Sequence, residues 1–419
     1  MLRAVGIGWL AKLTVIVFTL VNTRLLVDLV GLEGLAAYAI IISLTTWIAL
    51  LNFGMPYAVQ SLISKYRANE KAYHDIKTTA ISLVLIILLF LLPVMYFIGL
   101  AAKGILLNKF AFVTPSALFS ACLLMLLAGL TQTLTQILFA ENKTIWPNIF
   151  PAINSLMIFA GLWLLKQGQI TNFDLALVVS LLPNAAIFIV AFWTIGEFPR
   201  LSLNREYVVE IFQSAKGFLL FAVLSASTLA VDYLIMYQML PAEDIATYNL
   251  MSKIFGVILS IHAVLLANAW PKMGNNLYAG SFTKARHHMR VLIIIGLAGG
   301  VIAGITTMFT MSWIMPLLVG NKIITVSTSL MSIWGFYILI RIWSDSFAMG
   351  LMSFNKMKVM NTYIPFQALT NIIAQCALGY WIGLSGILLG LIVSYLVTAA
   401  WILPKYFYKE TASALGSSN

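Results

Sequence analysis

The apolar residues of this chain come in long unbroken runs, and the polar ones gather in short stretches between them. Twelve runs can be read, at about 5–29, 36–60, 78–100, 117–139, 147–166, 175–196, 217–240, 246–270, 290–314, 327–353, 361–380 and 386–404. A helix rising 1.5 Å per residue needs about 20 mostly apolar residues to cross about 30 Å of hydrocarbon. Each run is of that order. They are continuous and do not alternate with period two, so they predict helices and not the strands of a barrel. The first run carries Lys12, Arg24 and Asp28, and no small-residue cleavage site follows it. It therefore reads as a retained helix, not a signal peptide. No connection exceeds about 20 residues, which leaves no room for an extramembrane catalytic domain.

Composition sharpens this picture. The 419 residues are 61% hydrophobic and 9% charged, against roughly 25% charged in a soluble domain. The chain reads as an all-α polytopic membrane protein. Two cysteines, Cys122 and Cys376, both inside apolar runs, exclude a disulfide scaffold and a cysteine zinc site. Four histidines leave little for another metal centre, and neither a metal nor a cofactor is expected. The net charge of +11 is then a question of sidedness and not of nucleic acid. One alternate set of connections holds 17 basic residues, among them Lys71, Lys143, Arg200, Arg286 and Lys356. The opposite set holds four: Lys103, Lys109, Lys166 and Lys322. The positive-inside rule makes the first set cytoplasmic, with both termini there.

An internal duplication runs through the chain. Ala36-Ala37-Tyr38-Ala39 resembles Ala246-Thr247-Tyr248-Asn249, at an offset of 210. Pro56 and Pro271, then Lys71 and Arg286, repeat at 215. Asn142-Lys143 and Asn355-Lys356 repeat at 213, and each pair is followed by a proline, Pro151 or Pro365. Four matches in sequence order predict two six-helix lobes, residues 1–200 and 201–408, related by a parallel pseudo-two-fold repeat. Residues 409–419 are small and polar, and read as a loose cytoplasmic tail.

Ionisable groups inside spans are costly, about 2.5–3.5 kcal/mol on insertion scales, so they seldom face lipid. Arg24/Asp28 and Arg341/Asp345 share the spacing i, i+4, which puts each pair on one helical face. Each pair either neutralises itself or serves a cavity. On the tenth span Trp334, Tyr337, Arg341, Asp345 and Ala348 form a polar and aromatic stripe. Asn249, Lys253, Gly256 and Ser260 do so on the eighth, and Ser225, Thr228 and Asp232 on the seventh. Stripes on several helices suit a shared aqueous cavity. Gln132 and Gln136 either join it or bond between helices, while His262 reads as a core histidine. Asp232 has no basic residue within four positions on its own helix. It is either an ion-exchanging carboxylate or a partner of Arg24 or Lys253. Arginine can grip a phosphate with two bonds, and lysine meets it as a point charge.

The chain resembles the polysaccharide-transport branch of the superfamily that also holds multidrug extruders and lipid II flippases, most closely a Wzx-type O-antigen flippase. The resemblance rests on length, span number and two local stretches. One runs from Asn22-Thr23-Arg24 through Gly31-Leu32-Glu33-Gly34 to Ala37-Tyr38. The other runs from Asp232 through Pro241-Ala242-Glu243-Asp244 to Ala246-Thr247-Tyr248. It implies a MATE-like fold and export of an undecaprenyl-pyrophosphate-linked oligosaccharide across the bacterial inner membrane, with no enzymatic step. On that implication Arg24, Lys253 and Arg341, with Asn249, Trp334 and Tyr337, hold the substrate, and Arg24 and Lys253 clasp one head group. Asp28, Asp232 and Asp345 couple to ions. Membrane lipids, an O-antigen polymerase and a chain-length regulator are the implied partners. Two rivals remain. A drug/cation antiporter should carry carboxylates unaccompanied by arginine, and a polymerase or ligase should carry a large outward loop.

Overall fold

The computed structural model describes residues 2–68, 73–141, 143–196, 202–278, 280–320, 324, 326–353 and 357–416. Lys71, Asn142, Arg200, Lys322, Asn355 and Lys356 lie outside them. The described residues form helices and their connections, with no strand among them. In chain order the helices are α1 (Leu2–Ala49), α2 (Met55–Ala68), α3 (His74–Leu106), α4 (Pro115–Ala140) and α5 (Ile145–Gln167). There follow α6 (Phe173–Leu181), α7 (Pro183–Ile195), α8 (Arg205–Leu229), α9 (Asp232–Met239) and α10 (Ala242–Tyr278). The chain closes with α11 (Phe282–Val319), α12 (Thr328–Ser353), α13 (Met357–Val397) and α14 (Ala399–Gly416).

Local sequence explains the ends. Thr114 caps α4 by accepting from the Ala117 amide at 3.3 Å, with Pro115 at the first helical position, where its missing N–H costs nothing. Asn172 caps α6 through the Leu175 amide at 3.0 Å. Breaks fall where a positive φ is needed. Gly31 (φ 73°) interrupts α1, and Gly383 (φ 60°) with Ile382 interrupts α13. Nine helical stretches among the described residues are long and apolar enough to cross a bilayer. Two of them, Leu10–Asn52 with 43 residues and Val359–Ala412 with 54, exceed one crossing and contain those breaks. The chain is an integral membrane protein.

Two compact units divide after Ala226. In the first, α1 packs along α5, and α4 packs against α2, α3 and α7. Leu25, Leu26, Leu29, Leu162 and Ala176 form one buried core there. The α8 backbone closes on Gly54 (φ 73°): a Cβ at that position would stand 2.6 Å from the Ala215 carbonyl oxygen, so only glycine fits. Tyr66 donates to Glu210 at 2.8 Å in the same unit, and that bond pushes the phenol up to about 12. In the second unit α10, α11 and α12 pack together, and α12 also meets α13 and α14.

Helix α14 continues to Gly416, and Thr411 is buried. Arg286 Nε donates to Thr411 Oγ1 at 2.8 Å and its Nη2 to the Tyr408 carbonyl at 3.1 Å. The polar tail sequence contains good helix formers, and one arginine holds it down.

Candidate functional site

The seventh span is broken between α8 and α9, over Ala230 and Val231. A break leaves main-chain carbonyls without intrahelical partners, which must be satisfied inside a bilayer. Asn371 of α13 supplies one donor: its Nδ2 reaches the Thr228 carbonyl at 2.8 Å. Gln375 Nε2 in turn donates to Asn371 Oδ1 at 2.9 Å. Gln367, Asn371 and Gln375 recur every four residues and are all buried. No charge or motif in the sequence marks this amide ladder. Its even spacing inside an apolar run was the available signal.

Asp232 opens α9 beside that break, 7% exposed. Its carboxylate accepts from the Tyr248 hydroxyl and from the Tyr233 amide, the latter at 2.9 Å. Asn249 donates to the Tyr233 hydroxyl at 2.9 Å. Tyr233 and Tyr248 meet edge to face. Trp334 then stacks on Phe255 at 5.7 Å between ring centres, lies 5.2 Å from Tyr248, and meets Tyr337 edge-on at 5.7 Å.

The Tyr337 hydroxyl accepts from Arg341 Nη1 at 3.1 Å. Arg341 Nε and Nη2 both donate to Asp345 Oδ2, at 3.3 and 3.2 Å. Its guanidinium carbon lies 5.6 Å from the Tyr395 ring centre and 6.0 Å from that of Tyr337. Asp232, Asn249, Trp334, Tyr337, Arg341 and Asp345 thus belong to one contiguous cluster. Trp334 and Tyr337 are buried in it, while Arg341 and Asp345 at its end are 18% and 34% exposed in their side chains. Lys253 lies one turn beyond Asn249 on α10, half-buried.

Arg24 and Asp28 belong to the first unit. Arg24 Nε stands 3.1 Å from Asp28 Oδ1, and Lys166 Nζ reaches Asp28 Oδ2 at 2.7 Å. The i, i+4 pair is therefore a triad with α5, which sequence spacing alone could not show. Gln132 is exposed and accepts from Asn52 at 3.4 Å. His262 is buried, with Nε2 3.2 Å from Ser346 Oγ, in a space where a Cβ on Gly296 would stand 2.8 Å from its ring.

A bounded chemistry follows from this arrangement. The second unit offers a guanidinium flanked by aromatic faces, a buried carboxylate bonded to a phenol, and amide donors beside a helix break. Among the described residues no group of three His, Cys, Asp or Glu side chains is placed to hold a metal.

Among solved structures, a multidrug resistance MATE family transporter of the MOP superfamily, in an inward-facing conformation, is similar over 96% of both chains, with TM-score 0.74 at 14% identity. The lipid II flippase MurJ, inward closed, is similar over 97% of this chain and 90% of its own, with TM-score 0.66 at 15% identity. At such identities these likenesses show the fold. No family model matches the chain. A protein of Yersinia pseudotuberculosis named for O-antigen export is 32% identical over 415 residues, 96% of this chain and 94% of its own length. The chain belongs to that O-antigen export family. A Salmonella typhimurium protein named as an O-antigen transporter is 28% identical over 95% of this chain and 94% of its own. The family resemblance read from the sequence is correct, and the cluster around Asp232 and Arg341 is a feature of an O-antigen export family transporter.

Proposed function

We propose that the protein carries an undecaprenyl-pyrophosphate-linked O-antigen unit from the cytoplasmic to the periplasmic leaflet of the bacterial inner membrane. The observation that carries this reading is the near full-length match to a relative named for O-antigen export. Transport proceeds by alternating access coupled to an ion gradient, without an enzymatic step. Twelve crossings are supported by the two over-long stretches and by α12, a further 26-residue helix that carries Arg341 and Asp345. The two-lobe repeat is supported by matching breaks: the chain is interrupted at Gly31 and again at Leu240-Pro241, about the sequence offset of 210. The charge bias of 17 to four supports cytoplasmic termini.

Within this reading Arg341 and Lys253, with Asn249, Trp334 and Tyr337, meet the head group in the second unit, and Arg24 serves in the first. Asp232 carries the coupling ion, while Asp28 and Asp345 balance the cations beside them. Asp345 and Tyr337 take three of the five Arg341 N–H donors, so two donors on the terminal nitrogens are left to meet a phosphate. An O-antigen polymerase and a chain-length regulator are the partners this role calls for.

The test is deletion of the gene followed by leaflet-resolved analysis of lipid-linked O-unit. Accumulation in the cytoplasmic leaflet with loss of surface O-antigen is expected. Normal O-antigen display in the deletion strain would overturn the reading.

A further inference from the structure

Tyr395 reaches Arg341 from a different helix. Tyr337 and Asp345, which bond the guanidinium, lie four residues to either side of it on α12 itself. Those three bonds hold the group by its edges. Tyr395 stands in the last turn of α13, and its ring lies over the guanidinium carbon at 5.6 Å. The same ring meets Tyr337 edge to face at 6.3 Å.

The end of α13 is fixed where it carries this ring. The helix stops at Val397, and the Thr398 amide donates back to the Tyr395 carbonyl at 3.3 Å. Trp343, two residues beyond Arg341 on α12, donates through Nε1 to the Ala400 carbonyl at 2.7 Å. The turn after Tyr395 is thereby tied to the helix that bears the arginine. Tyr395 is buried, so little of its ring is left to meet a sugar. A guanidinium is weakly hydrated and is attracted to an aromatic face. A ring over that face limits the tilt of the plane, and with it the direction of the two N–H donors not taken by Asp345 and Tyr337.

We propose that Tyr395 is a positioning residue for phosphate recognition: it stacks on Arg341 and aims the two remaining N–H donors at a phosphate of the head group. This rests on the reading that Arg341 meets the diphosphate. Bonds from a guanidinium to phosphate lie in the guanidinium plane, so a tilted fork binds phosphate less well.

The experiment titrates the full-length protein in detergent with undecaprenyl diphosphate or undecaprenol and reads bound lipid by native mass spectrometry. Undecaprenol has the same chain and no phosphate, so it reports on the fold and the lipid contacts alone. Wild type should prefer the diphosphate, and the protein with both Arg341→Ala and Asp345→Ala should lose that preference. Tyr395→Leu should lower affinity for the diphosphate roughly five-fold and leave undecaprenol unchanged. Tyr395→Phe, which keeps the ring, should behave as wild type. Added to the Arg341→Ala and Asp345→Ala changes, Tyr395→Leu should have no further effect, because the ring then has no cation to hold. Equal loss of both lipids in Tyr395→Leu would make the ring a packing element and overturn the proposal. An undiminished preference for the diphosphate in that variant would overturn it too, and either result leaves Arg341 as the phosphate ligand. A wild type without preference for the diphosphate would overturn the reading of Arg341 and this proposal with it.

Discussion

Asn371 holds the Thr228 carbonyl at 2.8 Å, fixing the broken end of α8 one turn before Asp232. A buried amide inside a membrane helix is expensive unless bonded, so this contact sets where the seventh span bends and how the carboxylate after it is presented. Asp232 faces Tyr248 and Tyr233 because the chain restarts as α9 at that residue.

The first prediction concerns that contact. Asn371→Leu removes the amide bond to the Thr228 carbonyl and leaves one buried Gln375 donor unsatisfied, a loss of about 1–3 kcal/mol. Melting temperature should fall, and the dependence of transport on the ion gradient should weaken, the same loss expected of Asp232→Asn if Asp232 carries the coupling ion. Unchanged gradient dependence in Asn371→Leu would separate the ladder from coupling.

Arg341 and Asp345 supply the second. Arg341→Ala removes the cation paired with Asp345 and should lower both protein abundance and O-antigen display. The double change to Arg341→Ala and Asp345→Ala removes that carboxylate as well and should restore abundance but not display. Restored display would reduce the pair to mutual neutralisation.

Arg24 behaves differently, because Asp28 keeps Lys166 when Arg24 is removed. All three side chains are partly solvated, so Arg24→Ala should shift stability by no more than about 1 kcal/mol. O-antigen display should nevertheless fall at normal abundance if Arg24 meets the diphosphate, and Arg24→Lys should retain part of it. Rescue of display by adding Asp28→Ala would defeat the binding role.

Glu141 predicts an acid limb in stability. Burial pushes its carboxyl up, but the bonds and charges of Lys77 and Lys143 outweigh burial and hold it below its ordinary value. A depressed folded value stabilises the fold at pH above the unfolded carboxylate range, and that contribution vanishes as pH falls through the folded value. Melting temperature should therefore drop on acidification. In Glu141→Gln the acid drop should shrink, and stability at neutral pH should fall by up to about 3–5 kcal/mol because the buried Lys77 loses its ion pair with Glu141. A full acid drop in that variant would place its origin elsewhere.

Much of this protein was legible in the order of its residues. Apolar runs fixed by the thickness of a bilayer announced helices, and the i, i+4 spacing of Arg341 and Asp345 announced their pairing, since both are properties of a single helix. Gly31 sat at the break that its permissive backbone allows. Three facts needed the tertiary structure. Lys166 reaches Asp28 from 138 positions away, Asn371 reaches Thr228 from 143, and Arg286 reaches Thr411 from 125. Periodicity reports which face a residue occupies, but not which helix lies opposite that face. Only packing brings distant donors to the carbonyls and carboxylates left over by local structure, and in a medium without water those remainders must find a partner within the protein.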